Sequence, residues 1–373
     1  LARELVARGH RVNMLMPPWH TPDEEARRWE EEGVLLEYVS LGPRVPLLWH
    51  VLVTLRLIAR ALAWHPDIVH CFKPKGYAGL AGCVLWIMGR LGLANVRLII
   101  DEDDWEGPGG WNALEPYPPL LRIIFAWQER WGLRHNDAVT VASRTLQALV
   151  WGLGVSPHRV YYLPNGTAGR QGGDGASVRD RHDLADEPLV LLYTRFFEYD
   201  VARVVEVFSR LAEQNPSLHF LIVGEGLFAE DEERFRRLAV ERGLAPRLTW
   251  AGWVSEGQLS SYFAAADVAI YPFDDTLVNR AKCAAKLIDL LAAGVPVVAE
   301  AVGQNAEYVR HQETGLLVPS GDVQAMVSGV QRLLRQPVLR QRLGINAAKD
   351  VRERFSWHLL VQKLEEVYET AVE

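Results

Sequence analysis

Cysteine is nearly absent from this sequence. Only Cys71, Cys83 and Cys283 occur in 373 residues, with no CxxC pair and no cysteine–histidine spacing suited to zinc. An odd, scattered set excludes a disulfide framework and fits free thiols in a reducing, cytoplasmic compartment. Positive charge is not in excess either: 40 Lys and Arg against 47 Asp and Glu leave a net charge of −7. That excludes nucleic acid as a partner, since no concentrated basic face is available. An anionic ligand must be met by a few well-placed cations and helix ends. Long apolar runs are also missing. The longest, 46–63 (PLLWHVLVTLRLIARALA), is broken by His50, Arg56 and Arg60 and makes a poor membrane span. It reads as a crossover helix packed on a sheet, or as a basic amphipathic helix touching the cytoplasmic face of a membrane.

What is present is an α/β pattern, repeated. Apolar residues make up 49% and charged residues 23%, a globular composition in a chain long enough for two cores. Short β-branched runs recur at 35–39, 67–72, 96–101 and 137–143, with room for a helix between each pair. After residues 166–187, which are polar and glycine-rich, the alternation restarts at 189–194, 218–224, 248–252, 268–273 and 295–300. Helices are expected at 201–214 and 229–242, and three more at 322–335, 338–353 and 356–371. This predicts a first doubly wound domain over 1–165, a linker or hinge at 166–187 and a second such domain over 188–355. The last helix, within 356–373, is expected to pack back on the first domain. The opening LARELVARGHRVNML reads as a helix end, a stop at Gly9 and a strand. An α/β domain places another strand and loop before such a helix, so a first strand is expected ahead of residue 1. In doubly wound folds ligands bind at the carboxyl ends of the strands, here expected in a cleft between the two sheets.

The stretch NRAKCAAKLIDLLAAGVPVVAE, 279–300, carries the densest chemistry. Asn279, Lys282, Lys286 and Asp289 fall at i, i+3, i+7 and i+10, which is one polar stripe if the segment is a continuous helix. Two lysines near a helix N-terminus suit a diphosphate, and Asp289 a turn later suits ribose hydroxyls. The plain alternative is a solvated face with a Lys–Asp pair.

AAGVPVVA, followed by VGQNAEYVRHQETGLLVPSGD, resembles the C-terminal signature of retaining glycosyltransferases of family 4, the group 1 enzymes of the GT-B fold. ELVARGHRV, PDIVHCF, DAVTVASRTLQALV, RVYYLPNG, YTR, LIVGEG and AAADVAIYPF follow the same family's order across nearly the whole chain. The resemblance implies two Rossmann-like domains facing across a cleft and a nucleoside diphosphate sugar as donor. It matches Arg195 of YTRFFEYD to the residue that grips the donor phosphates, a role that an arginine fork at a strand end suits. It matches Gly224 and Glu225 to a donor-side loop, Trp253 and Val254 to the segment beside the base, and Asp289 to the ribose carboxylate. Trp253 suits a core position equally well.

The departures are specific. The family's lysine five residues after the arginine is Asp200 here, and its EGFG is Ala281, Lys282, Cys283 and Ala284. Lys282 is the candidate to replace the missing cation. The family's loop histidine is also absent; LIIDEDDWEGPGGWN, 98–112, stands in its place. Asp101-Glu102-Asp103 fits the DxD pattern by which the GT-A fold binds manganese, but Arg195 and Lys286 already supply cations, so no metal or other cofactor is expected. The acids are instead expected on the acceptor side, with Asp103 and Asp104 orienting or deprotonating a hydroxyl and neighbouring charge raising a carboxyl pKa. Trp105 and Trp111 with Gly107, Gly109 and Gly110 suit a sugar-stacking loop. A solvated acidic loop with its tryptophans in the core is the plain alternative. His70 at a strand end, and Lys73 and Lys75 before a helix, are further acceptor-side candidates, though a satisfied structural histidine fits His70 as well.

The expected function is metal-independent retaining transfer in glycan biosynthesis, to a glycan, lipid-linked or small-molecule acceptor. Arg195 and Lys286 would stabilise the leaving group, and Asp103 and Asp104 would serve the acceptor. The alternatives are a nucleotide-sugar epimerase or hydrolase on the same fold, or a nucleotide-sugar-binding protein that has lost catalysis.

Overall fold

A computed structural model of the chain describes residues 1–42, 48–169, 172–184 and 187–372. They form two compact units. The first holds residues 1–164, 281–283 and 357 onward; the second holds 165–280 and 284–356.

The second unit is built on six parallel strands: β8 (Leu189–Tyr193), β9 (His219–Val223), β10 (Leu248–Gly252), β11 (Val268–Tyr271), β12 (Val297–Glu300) and β13 (Leu316–Val318). Their spatial order is β10-β9-β8-β11-β12-β13. Chain order therefore reverses between β8 and β11, the position where such sheets bind ligands beyond their carboxyl ends. A central strand of this kind must be apolar on both faces. Leu189 and Leu191 enter one core with Leu287, Ile288 and Tyr271, while Val190 and Leu192 enter another with Phe208, Phe220 and Met326. Helix Val201–Gln214 lays Val204, Val205, Phe208 and Leu211 on the second core.

Two expectations change in this unit. Residues 166–187 are not a free linker. Helix Gly175–Arg181 is capped by Asp174, which accepts from the Ser177 amide at 3.1 Å, and Val178 and Leu184 are buried in the core beside Leu259 and Tyr262. Arg179 adds polar ties, donating to the carbonyls of Ala265 (3.0 Å) and Glu187 (2.8 Å), in a stretch that composition alone marks as loop; residues 170, 171, 185 and 186 lie outside the described set. The polar stripe at 279–289 is likewise not one helix. It is Leu277–Ala281, a break, and Ala285–Ala292. The break is held by Gln304, whose side-chain carbonyl accepts the Ala284 amide at 2.8 Å.

The first unit departs from a single doubly wound sheet. Four parallel strands, β4 (Ile68–Phe72), β5 (Arg97–Glu102), β6 (Ala138–Val141) and β7 (Val160–Tyr162), form one sheet in that order. A separate sheet has β1 (Asn13–Met16) parallel to β3 (Val34–Tyr38), and β2 (Arg28–Glu31) antiparallel to β3. The β2–β3 hairpin turns through Glu32 and Gly33, both at positive φ (49° and 78°), the tight geometry that suits right-twisted strands. Helix Trp357–Val372 packs Leu360, Val361 and Leu364 against Ile99, Ala138 and Leu163. Helix Leu48–Ala63 packs Val53 and Leu57 with Val39 and Leu41, the crossover role; positions 46 and 47 lie outside the described residues.

Candidate functional site

The loops after β8, β9 and β10 are tied into one edge of the second unit by backbone and side-chain bonds. The Thr194 hydroxyl accepts the Phe196 amide at 2.8 Å and shares a hydrogen bond with the Tyr199 hydroxyl at 2.8 Å. This holds buried Phe196 at φ 67°, a conformation that side chains other than glycine rarely adopt. Arg195 between them is exposed, and among the described residues its guanidinium makes no ion pair or side-chain hydrogen bond. Its carbonyl accepts the Leu227 amide at 2.9 Å, which binds the β9 loop to it.

Gly224 fits only as glycine: its φ is 113°, and a Cβ would lie 2.1 Å from the Thr194 carbonyl oxygen. Its amide donates to the Gly252 carbonyl at 2.8 Å. Glu225 accepts the Trp253 amide at 3.2 Å, and Trp253 is 74% exposed. The equal choice between core and surface for this tryptophan thus resolves to surface. Val254 goes the other way. Its side chain is buried in the core with Leu259.

Across the switch point the broken helix supplies different roles from those expected. The Asn279 amide group donates to the carbonyls of Glu198 (2.6 Å) and Asp274 (2.9 Å), clamping the β8 and β11 loops to each other rather than facing a ligand. Lys282 is buried at the break, removed from the stripe that would have aligned it with Lys286. Lys286 remains at the edge, with its ammonium 3.6 Å from the Glu198 carboxylate and 5.9 Å from the Tyr193 ring centre. Asp289, one turn further on the same helix, is half-buried. Asp200, where a lysine was expected, caps helix Val201–Gln214 by accepting the Ala202 amide at 3.2 Å.

Sequence reasoning missed the group that fixes these loops from below. Glu300, at the end of β12, is fully buried and accepts the amides of Phe273 (2.6 Å) and Gly321 (2.9 Å). Arg203 bridges it to Asp274, with contacts of 3.1 Å to Glu300 and 2.5 Å to Asp274. An acid ending the apolar run VPVVAE was the available signal, because a buried carboxylate needs such partners.

In the first unit the four acids separate. Asp101 and Glu102 belong to β5 and are buried. Burial pushes the Asp101 carboxyl up to about 7, against a hydrogen bond from Thr140 that lowers it. Burial also raises Glu102 well above its usual range, with Glu129 adding to the effect, and raises Glu129 to about 8. Burial, more than mutual repulsion, is the main cause. Asp103 and Asp104 lie beyond the strand and meet Lys73 at 3.4 and 2.6 Å. Lys75 meets Glu106 at 2.7 Å and lies over the rings of Tyr117 and Phe125. Both lysines, named above as acceptor-side candidates, are thus engaged by acids within the unit.

His70 is in mid-strand, with ring nitrogens 2.9 Å from the Tyr368 hydroxyl and 3.2 Å from that of Thr140. Thr140 donates onward to Asp101, so its oxygen accepts from His70 Nε2–H, and Tyr368 donates to Nδ1. Burial lowers the ring's pKa to about 3, so it stays neutral. This is the satisfied structural histidine. Trp105 is buried, and its indole N–H donates to the Pro108 carbonyl at 3.2 Å. The glycines serve that ring rather than a sugar: a Cβ on Gly110 would lie 2.1 Å from the Trp105 carbonyl, and one on Gly107 2.4 Å from its ring. Gly109 is exposed at the tip, and half-buried Trp111 opens a short helix, Trp111–Leu114. Among the described residues no three His, Cys, Asp or Glu side chains are grouped as a metal site requires, and no helix is long and apolar enough to cross a membrane.

Comparison with known proteins matches two successive parts of the chain. Residues 1–166 match the family described as glycosyl transferase 4-like domain, and residues 177–350 match glycosyl transferases group 1. A phosphatidyl-myo-inositol mannosyltransferase of Mycobacterium leprae is 33% identical over 153 residues, 41% of this chain and 38% of that protein. The chain spans less than two thirds of the curated relatives it matches. Sucrose-phosphate synthase from Thermosynechococcus elongatus has a similar structure, with a TM-score of 0.77 at 23% identity over 99% of this chain and 90% of that one. HepE of Anabaena gives 0.68 at 18% identity, covering 90% of this chain and 86% of its own. Matched over both parts, the chain belongs to the group 1 glycosyltransferases of family 4 and has the GT-B fold.

Proposed function

We propose that this chain transfers a sugar from a nucleoside diphosphate donor to an acceptor hydroxyl with retention of anomeric configuration. The observation that carries this reading is Arg195: an exposed guanidinium without a side-chain partner among the described residues, on a rigidly held loop at the topological switch point of a doubly wound sheet. Fork geometry and full charge suit a diphosphate there. The HepE structure is a complex with UDP, a nucleotide of the same ligand class. Lys286, on the other side of the switch point, supplies a second cation, and exposed Trp253 a flat face for the base.

In the reaction the acceptor oxygen approaches the anomeric carbon on the face from which the diphosphate departs. The new glycosidic C–O bond forms as the sugar–phosphate C–O bond breaks, and the acceptor proton passes to a departing phosphate oxygen. Arg195 and Lys286 offset the charge that develops on that leaving group, so no metal ion is required. On the acceptor side we assign Asp103, which keeps a part-exposed carboxylate beside Lys73. The acceptor is a hydroxyl of a glycan, a lipid-linked sugar or a small molecule.

Water can stand in for the unidentified acceptor. The chain is incubated with UDP-, GDP-, ADP- and TDP-sugars, and the released sugar is followed by proton NMR before it mutarotates. Release with the donor's own anomeric configuration supports retention, release that gives way to a glycoside when candidate acceptors are added separates transfer from hydrolysis, and the inverted anomer overturns the reading. A nucleotide that binds while no sugar is released, even with candidate acceptors added, favours the binding protein that has lost catalysis.

A further inference from the structure

Helix Pro119–Arg134 leaves an apolar face uncovered. Its inner side is marked by buried Gln128, Glu129, Gly132 and Leu133. On the opposite side Leu120, Ile123, Ile124 and Trp127 recur at i, i+3, i+4 and i+7; Leu120, Ile123 and Trp127 are 68, 67 and 51% exposed. Ile124 is 36% exposed on the same side. A contiguous apolar face of this kind marks an interaction surface, whereas single exposed leucines do not.

The charges say what covers it. Arg122, Arg130 and Arg134 are exposed, and the helix's only acid, Glu129, is buried. A chain with a net charge of −7 thus presents only positive charge here. The apolar residues fill the first two turns of the outer face and Arg130 and Arg134 its last two. A second copy of the chain docking symmetrically on this patch would bring the same arginines towards one another. Arg134 donates to the Leu153 carbonyl at 2.9 Å and Arg122 to that of Glu115 at 3.2 Å, yet both stay exposed. On helix Leu48–Ala63, the other amphipathic candidate, Arg56 and Arg60 are half-buried and Arg60 is paired with Glu37.

We propose that helix 119–134 docks on an anionic lipid bilayer. Leu120, Ile123, Ile124 and Trp127 enter the headgroup–acyl boundary, and Arg130 and Arg134 meet lipid phosphates. The proposal does not rest on the donor reading, because docking needs no nucleotide.

The test is flotation of the full-length protein with vesicles of phosphatidylcholine alone, or with phosphatidylglycerol as about a third of the lipid. Binding to the anionic vesicles that weakens with salt is expected, with little binding to the neutral ones. Ile123→Glu with Trp127→Glu should weaken it about tenfold or more with unchanged melting, since both side chains are exposed. Arg130→Ala with Arg134→Ala should remove most of the salt dependence. Wild-type protein that stays at the bottom of the gradient overturns the proposal, as does an Ile123→Glu/Trp127→Glu variant that floats unchanged. A dimer in solution that the same pair of substitutions dissociates would give the face to a second copy and overturn it equally.

Discussion

The carbonyl oxygen of Thr194 occupies the space where Gly224 would carry a side chain, at 2.1 Å from its Cβ position. The turn that presents Arg195 and the turn after β9 are therefore a single unit, and neither relaxes without the other. Gly224→Ala should destabilise the second unit by about 1–3 kcal/mol and weaken nucleotide binding with it. Urea unfolding read beside a binding isotherm checks both; an unchanged midpoint would mean the two loops move independently.

Arg195 should behave in the opposite way. Its side chain is exposed and holds nothing within the described residues, so Arg195→Ala should leave stability within about 0.5 kcal/mol. Nucleoside diphosphate affinity should fall about tenfold or more, and Arg195→Lys should recover only part of it. Calorimetric titration beside thermal melting separates the two effects.

Asp200 is a helix cap in this chain rather than a phosphate ligand. Asp200→Ala should cost about 1 kcal/mol and Asp200→Asn little. Asp200→Lys restores the cation of related enzymes but removes the cap and places positive charge at a helix N-terminus, so it too should destabilise. The three variants compared by chemical denaturation test the assignment.

The buried acids of the first unit predict how stability depends on pH. Glu129 titrates near 4.5 when unfolded and near 8 in the fold, and burial raises Asp101 and Glu102 in the same direction. Between those values the unfolded chain has released the proton and the folded chain has not. Stability therefore falls as pH rises, by about 1.4 kcal/mol per pH unit for each carboxyl still protonated. His70 gives the opposite slope, but only below its unfolded value of 6.5. From pH 6.5 to 8 the carboxyls should dominate, and Glu129→Gln should flatten the profile. Urea midpoints across that range decide it.

Much of this architecture was legible in the chain because each strand of the second unit is a short apolar run with helical spacing after it. Arg195, Gly224 and Glu225 were legible as well, because they follow strand ends directly. What escaped depends on distant partners. Nothing local in NRAKCAAKLID announces a break, since it contains neither Gly nor Pro; the Gln304 side-chain carbonyl, from another loop, makes it. Asn279 reads as a ligand residue until the carbonyls of Glu198 and Asp274 are seen beside it. The lysines at 73 and 75 look available until the chain folds Asp104 and Glu106 onto them.

The most direct measurement is the melting of the full-length protein with UDP, GDP, ADP and TDP, each with and without EDTA, for wild type and Arg195→Ala. A ligand at about 100 times its dissociation constant adds about 2.7 kcal/mol, a shift of a few degrees. The account predicts that one nucleotide stabilises the wild type, that EDTA leaves this shift intact and that Arg195→Ala cuts it to about half or less. Stabilisation by none of the four, or a shift that disappears with EDTA, would contradict it.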